Sequence, residues 1–408
     1  MALAFSFMLQ IWLAHRQTAH VIEHRQKVPK SFENSVSIED HQKAADYTVA
    51  KNRAGYLQSI VDVILLLVFT LGGVIGLISG FWSEFHLSPI VTGVATILTV
   101  FVASHLLELP LSVYHTFSIE ERFGFNKNTP GQFAIDTGLH LLLTLLIGGL
   151  LAALILWVMA STGWYWWLIA WAILVIFTLF MSWAYPTLIA PLFNKFTPLS
   201  DRELDERIQT LLERCGFTSN GIFVMDGSRR SGHGNAYFTG LGSHKRIVFF
   251  DTLLNTLEHD EVEAVLAHEL GHFKRKHVVK MLVTSSAVSF VGLALLGWLV
   301  GCEWFYLGLG VLAPSNAVAL VLFILISPLF TIFLQPITAY FQRKHEFEAD
   351  DFASIYAKPA TLISALVKLY RDNANTLTPD PLYSAFHYSH PPASIRIANL
   401  TAKLENPV

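Results

Sequence analysis

Charge is scarce in this chain. Asp, Glu, Lys and Arg make up 14% of 408 residues and apolar types 53%, against about 25% charged in an average soluble domain. So little charge excludes an ordinary water-soluble globule. Cysteine is nearly missing too: the two present, Cys215 and Cys302, exclude a disulfide-stapled secreted scaffold. No Lys/Arg tract with interleaved aromatics occurs and the net charge is −3, so no nucleic-acid partner is expected. Internal repeats and low-complexity segments are also missing, which excludes solenoids and flexible tails.

What is present is a set of seven apolar stretches, at about 2 to 15, 59 to 81, 90 to 113, 138 to 160, 164 to 187, 278 to 302 and 318 to 341. Six reach the roughly 20 residues that cross hydrocarbon. The first is short, but it has no basic residues ahead of it, which argues against a signal peptide. Basic residues crowd the connection after it (Arg16, Arg25, Lys27, Lys30, Lys43, Lys51, Arg53), whereas 82 to 89, 161 to 163 and 303 to 317 contain no Lys or Arg. Every second loop is basic, so the positive-inside rule predicts seven spans with the N-terminus out and the C-terminus in the cytosol. Cys215 then lies in a cytosolic loop and Cys302 near the opposite face, too far apart for a disulfide.

The expected organisation is a multi-span α-helical membrane protein. Residues 1 to 187 hold five spans, 188 to 277 a cytosolic catalytic segment, 278 to 341 two further spans and 342 to 408 a cytosolic tail. In the first cytosolic portion, Leu204, Ile208, Leu211 and Leu212 recur at helical spacing behind Ser200-Asp201. Ile222 to Met225, Ala236 to Thr239 and Arg246 to Phe250 read as short strands parted by Gly-rich turns, including Gly240-Leu241-Gly242. A helix from about Asp260 to Lys276 follows. It carries Ala267-His268-Glu269-Leu270-Gly271-His272.

Residues four apart share a helix face, so His268 and His272 can offer two imidazole nitrogens to one tetrahedral zinc, with Glu269 beside them as general base toward the attacking water. Zinc in a catalytic site takes a third protein ligand and keeps one position open. The sixth and seventh spans form a hairpin, which returns the segment Lys344 to Asp351 to the membrane face of the histidine pair, 74 residues on from His272 to Glu346. Glu346 and Asp350 share a helical face, matching a ligand plus an acid that orients a zinc imidazole. Spacing favours Glu346 as ligand only modestly. His345, Glu348 and Asp351 point elsewhere and read as solvated surface.

Further matches run in order along the chain: Ile119-Glu120-Glu121-Arg122-Phe123-Gly124-Phe125-Asn126, Ile189 to Leu199, Gly234-Asn235-Ala236-Tyr237-Phe238, Glu346-Phe347-Glu348-Ala349-Asp350 and His387-Tyr388-Ser389-His390-Pro391-Pro392. In these motifs the chain closely resembles the type I CAAX prenyl proteases, integral-membrane zinc metalloproteases of the gluzincin type. The resemblance implies seven transmembrane helices enclosing an intramembrane chamber, capped by a mainly helical zincin-like catalytic domain with a small β-sheet. It implies one zinc held by His268, His272 and Glu346, with Glu269 and Asp350 as catalytic acids or bases, Asn235 and His390 lining the site, and Arg396 holding the tail. Such enzymes remove the last three residues after a prenylated cysteine, and some cut again upstream. Phe273 departs from the Trp often found there.

On this reading His390 stabilises the oxyanion and Asn235 holds substrate backbone. Either Ala236 to Thr239 or Arg246 to Phe250 offers an edge to which an extended peptide can add. His105 and Glu108 either face a watery chamber or sit at an interfacial helix end, and His140 reads as the latter. Trp164, Trp166 and Trp167 read as an aromatic belt. The expected partners are a peptide or protein substrate, prenylated or not, and the bilayer, whose anionic lipids the basic first loop favours. The same chemistry also suits a quality-control protease in a host that does not prenylate proteins. A transporter with a structural zinc is the remote alternative. A bacterial inner membrane and an ER membrane both fit.

Overall fold

The computed structural model describes residues 1–239 and 246–405, so the turn Gly240-Leu241-Gly242 lies outside the described residues. Six helical runs there are long and apolar enough to cross a membrane: Ile38–Phe69, Pro89–Phe123, Pro130–Ser161, Gly163–Phe193, His277–Leu299 and Asn316–Tyr356. Their outward faces keep large apolar side chains uncovered, among them Leu150, Ile176 and Val291, as expected where the surrounding solvent is hydrocarbon. The first apolar stretch forms helix α1 (Ala2–Glu23), 22 residues long, which is not among those six.

The second span differs from the sequence reading. Helix α2 (Ile38–Phe69) starts far upstream of residue 59, where the Ser37 hydroxyl caps the Asp40 N–H and Glu39 and Asp40 complement the helix dipole. It stops at Phe69, where Thr70 leaves helical geometry at φ −86°, ψ −91°, and a separate short helix, Val74–Ser83, follows Gly73, whose φ is a left-handed 76°. Much of the basic first loop is therefore helix. The tryptophans differ too: Trp166 is buried and Trp167 packs edge-on against Phe290 with ring centroids 5.4 Å apart, so only Trp164 stands exposed as a belt residue.

Outside the spans lies a four-stranded sheet, β1 (Phe196–Pro198), β2 (Ile222–Met225), β3 (Ala236–Thr239) and β4 (Arg246–Phe250), in the order β1-β2-β4-β3. β2 runs parallel to β4, and the other pairings are antiparallel. β4 is therefore internal, flanked on both sides, and cannot accept a peptide; β3 is an edge. Both were legible as strands, but edge position depends on pairing across the chain. Behind the sheet, Leu204, Ile208, Leu211 and Leu212 of helix Arg202–Cys215 pack into one core with Ile247, Phe249, Leu266 and Leu270. Cys215 is buried in this core, and both cysteines are free.

Three further helices decide the site. Helix α3 (His259–Lys274) carries the two histidines, and helix α4 (His277–Leu299) is a span; Lys276, at a left-handed φ of 56°, turns the chain sharply between them. Helix α5 (Gln335–Tyr356) carries Glu346 and Asp350 among its buried residues. Helices α6 (Pro359–Asp372) and α7 (Ala393–Glu405) close the tail against them.

Candidate active site

Helix α3 starts in a capping box in which Glu258 and Glu261 serve each other's backbone N–H groups. Glu261 also ties the helix to α6, its carboxylate accepting from Lys368 Nζ and Ser364 Oγ, each at 2.7 Å. Burial raises its pKa, but these partners outweigh burial and hold the carboxyl below its usual range. Further along, Gly271 lets α5 lie against the main chain of α3. A Cβ at that position would stand 2.9 Å from Ala349 Cα and 3.0 Å from Ala349 O. This close crossing brings Glu346, three residues before Ala349, to the histidines.

His268 Nε2 and His272 Nε2 lie 3.1 Å apart, His272 Nε2 is 3.2 Å from Glu346 Oε1, and His268 Nε2 is 3.5 Å from Glu346 Oε2. Ligands placed tetrahedrally at about 2.0–2.1 Å from one ion are about 3.3 Å apart. The three donors thus have the spacing of a metal half-cage, and Glu346 Oε2 is buried without a hydrogen-bond partner. The residues fit a divalent metal with imidazole and carboxylate ligands.

Asp350 is fully buried, and both its oxygens are engaged. Oδ1 lies 2.8 Å from His268 Nδ1, and Arg396 reaches the two oxygens at 2.7 Å each. This geometry orients the imidazole, as in many metal sites, the orienting role that the shared helical face of Glu346 and Asp350 predicts. Burial and Arg396 push His268 down, yet Asp350 and Glu346 outweigh both and hold it up at about 9. Arg396 is itself buried on α7; burial lowers it, and the paired carboxylates lift it above its usual value.

A second support was missed. His272 Nδ1 meets His277 Nδ1 at 2.9 Å, and His277 Nε2 meets Glu348 Oε2 at 3.0 Å. His345 stacks on His277 with ring centroids 4.0 Å apart. Glu348 and His345, expected as solvated surface, are thus parts of the site. The turn at Lys276 folds His277 back onto His272, and no helical periodicity carries across such a turn. Only Asp351 behaves as expected, half-exposed and paired with Lys403.

Glu269 is half-buried beside the two histidines, and burial pushes its carboxyl above the ordinary range. His390 comes into the cluster with its side chain largely exposed, its Nε2 3.4 Å from Glu346 Oε1 and its Nδ1 2.9 Å from Ser389 Oγ. Asn235 stands exposed at the start of edge strand β3, with its Oδ1 accepting from Ala236 N at 2.8 Å. Among the described residues no direct bond joins it to the metal cluster; β3 approaches α3 through Phe238 and Phe273, whose rings are 5.1 Å apart.

Two family models match, one described as CAAX prenyl protease N-terminal, five membrane helices, over residues 17–195, the other as peptidase family M48 over residues 198–404. The chain belongs to this family. CAAX prenyl protease 1 of Saccharomyces cerevisiae is 33% identical over 97% of this chain and 92% of its own length. The Arabidopsis thaliana homologue is 34% identical over 91% and 89%, and the Homo sapiens homologue 31% over 98% and 94%. A crystal structure of S. mikatae Ste24p superposes with a TM-score of 0.92 at 33% identity, covering 98% of both chains. As a member of this family, the chain is an integral, multi-pass membrane metalloprotease.

Away from the metal cluster, His105 and Glu108 line a cavity of about 470 Å³ with Asp62, Gln10 and Ser6. His140 stacks on Phe193 at 4.4 Å.

Proposed function

We propose that this chain is a zinc endopeptidase that trims CAAX-type, prenylated proteins near their C-terminus on the cytosolic side of the membrane. The observation that carries the proposal is the convergence of His268, His272 and Glu346 at metal-ligand spacing, with Glu269 beside them. Imidazole and carboxylate donors in a set of three suit zinc with one open position. When bound, zinc supplies Lewis acidity toward water and the scissile carbonyl.

The chain's own residues do the rest. Glu269, its basicity raised by burial, takes a proton from the attacking water and hands it to the leaving amine. His390 donates a hydrogen bond to the oxyanion, and Ser389 holds the ring from its other nitrogen. Asp350 and Arg396 fix His268, while His277 and Glu348 fix His272. The substrate lies extended along edge strand β3, where Asn235 meets its backbone.

The seventh span is α1: 22 residues make about 33 Å of helix, and Phe5 packs on Phe333 of the Asn316–Tyr356 run with ring centroids 5.7 Å apart. The polar cavity at His105 and Glu108 is part of an aqueous chamber. The basic loops put the catalytic portion in the cytosol. The test is cleavage of farnesylated and unprenylated peptides of one sequence, with chelator as control. Zinc-dependent cleavage that favours the farnesylated peptide supports the proposal; equal cleavage of both returns the quality-control reading.

A further inference from the structure

A second cavity, of about 460 Å³, opens beside the catalytic groups. His390 and Arg396 line it from the active-site side, and Lys51, Asn52 and Asn375 line it elsewhere. No Asp or Glu contributes to its wall, although four cationic or ionisable nitrogen groups, Lys51, Arg396, His387 and His390, do. Such a wall selects for a negative ligand. Arg396 is consumed by Asp350, to which it makes two 2.7 Å bonds. Lys51 is the uncommitted cation: it has no ion pair among the described residues and its side chain is exposed.

Its position is not left to chance. Tyr47 is one helical turn earlier on α2, and Lys51 Nζ sits 4.1 Å from the centroid of the Tyr47 ring. That ring is buried and anchored, since its hydroxyl donates to Glu120 Oε1 at 2.6 Å. The ammonium is thereby held over a fixed ring beside the cavity that Lys51 lines. The Asn375 side-chain amide, also exposed in this cavity, makes no hydrogen bond among the described residues.

An enzyme that cuts near a C-terminus releases a short peptide ending in a free carboxylate. That group is the one anion shared by all such substrates, whatever their side chains. We infer that Lys51 binds the C-terminal α-carboxylate of the substrate in this cavity, with Asn375 as a second donor. This rests on the proposed function above and adds how the enzyme measures distance from the chain end. Three extended residues span about 10 Å, so a fixed anchor for the carboxylate selects one scissile bond.

The test uses the full-length enzyme and two farnesylated peptides of identical sequence, one ending in a carboxylate and one in a carboxamide. A charge-assisted pair predicts that the wild type prefers the acid by about 10- to 100-fold in kcat/KM, chiefly through KM. In Lys51→Met the acid-to-amide ratio should fall to about one, and Lys51→Arg should restore it in part. Equal use of acid and amide by the wild type, or a wild-type ratio in Lys51→Met, overturns the inference. Should Lys51→Met not accumulate, inhibition of the wild type by the released tripeptide acid and by its amide decides the same question: stronger inhibition by the acid upholds the site and equal inhibition removes it. Cleavage of the amide peptide reports the peptidase itself, so a failure of the carboxylate site is distinct from a failure of the protease reading.

Discussion

Gly271 offers the sharpest test of how the site is assembled. In Gly271→Ala the new methyl meets Ala349 Cα at 2.9 Å, Ala349 O at 3.0 Å and Phe352 Cβ at 3.1 Å. Two of these are main-chain atoms and the third is the root of a side chain, so none can rotate away. Ordinary contact needs about 3.5–4.0 Å between carbons, so α3 and α5 must part by about 0.6–1 Å. Metal sites tolerate about 0.2 Å in ligand distance. Overpacking of this kind costs about 1–3 kcal/mol of stability. Glu346 rides on the displaced helix, so zinc affinity should fall by about 10–100-fold, the range seen when a ligand loses its support. Competition with a chromogenic chelator and thermal unfolding in detergent measure the two effects. Adding Ala349→Gly should not rescue the variant, because the clash is with main chain rather than with the Ala349 methyl. Unchanged zinc affinity in Gly271→Ala, or full rescue by the second substitution, would refute the account of the helix crossing.

Three further outcomes are expected. Glu269→Gln should abolish peptide cleavage while zinc remains bound, checked by turnover and metal analysis of the same preparation; retained turnover would remove Glu269 as the base. His277→Ala should weaken zinc binding by about 10–100-fold while the fold holds, and Glu348→Ala should do the same less severely; chelator competition reads both. Glu261→Ala should destabilise the catalytic portion by about 2–3 kcal/mol, below the 3–5 typical of broken buried pairs, because Lys368 keeps 27% of its side chain exposed. Since the folded carboxyl of Glu261 titrates lower than the unfolded one, its contribution is full at neutral pH and fades as pH falls below about 4.5 through the folded value. Thermal unfolding of the wild type and the variant should therefore converge in acid.

Much of this was legible in advance. The strands at 222–225, 236–239 and 246–250 appear where β-branched and aromatic runs lie between turn residues. The helical spacing of Leu204, Ile208, Leu211 and Leu212 marks the face that becomes the core. The motif His268-Glu269-x-x-His272 needed only one helix turn to be meaningful. The hairpin of two spans brought both Glu346 and Asp350 to the histidine pair, and spacing favoured Glu346 as ligand only modestly.

What stayed hidden depends on how separate elements meet. That β4 is enclosed and β3 is an edge follows from pairing, and strand composition carries no record of its neighbours. Glu348 looked like surface because a helix wheel places it away from Glu346, yet the turn at Lys276 delivers His277 to that very side. The extent of α2 was obscured because its first half is polar on one side and only tertiary packing buries the other. The sequence alone determined the membrane class, the metal motif and the family, since these rest on length, local periodicity and ordered motifs. Only the tertiary structure decided which acid orients which imidazole, how closely α3 and α5 cross and where Lys51 faces, because those are distances between residues far apart in the chain.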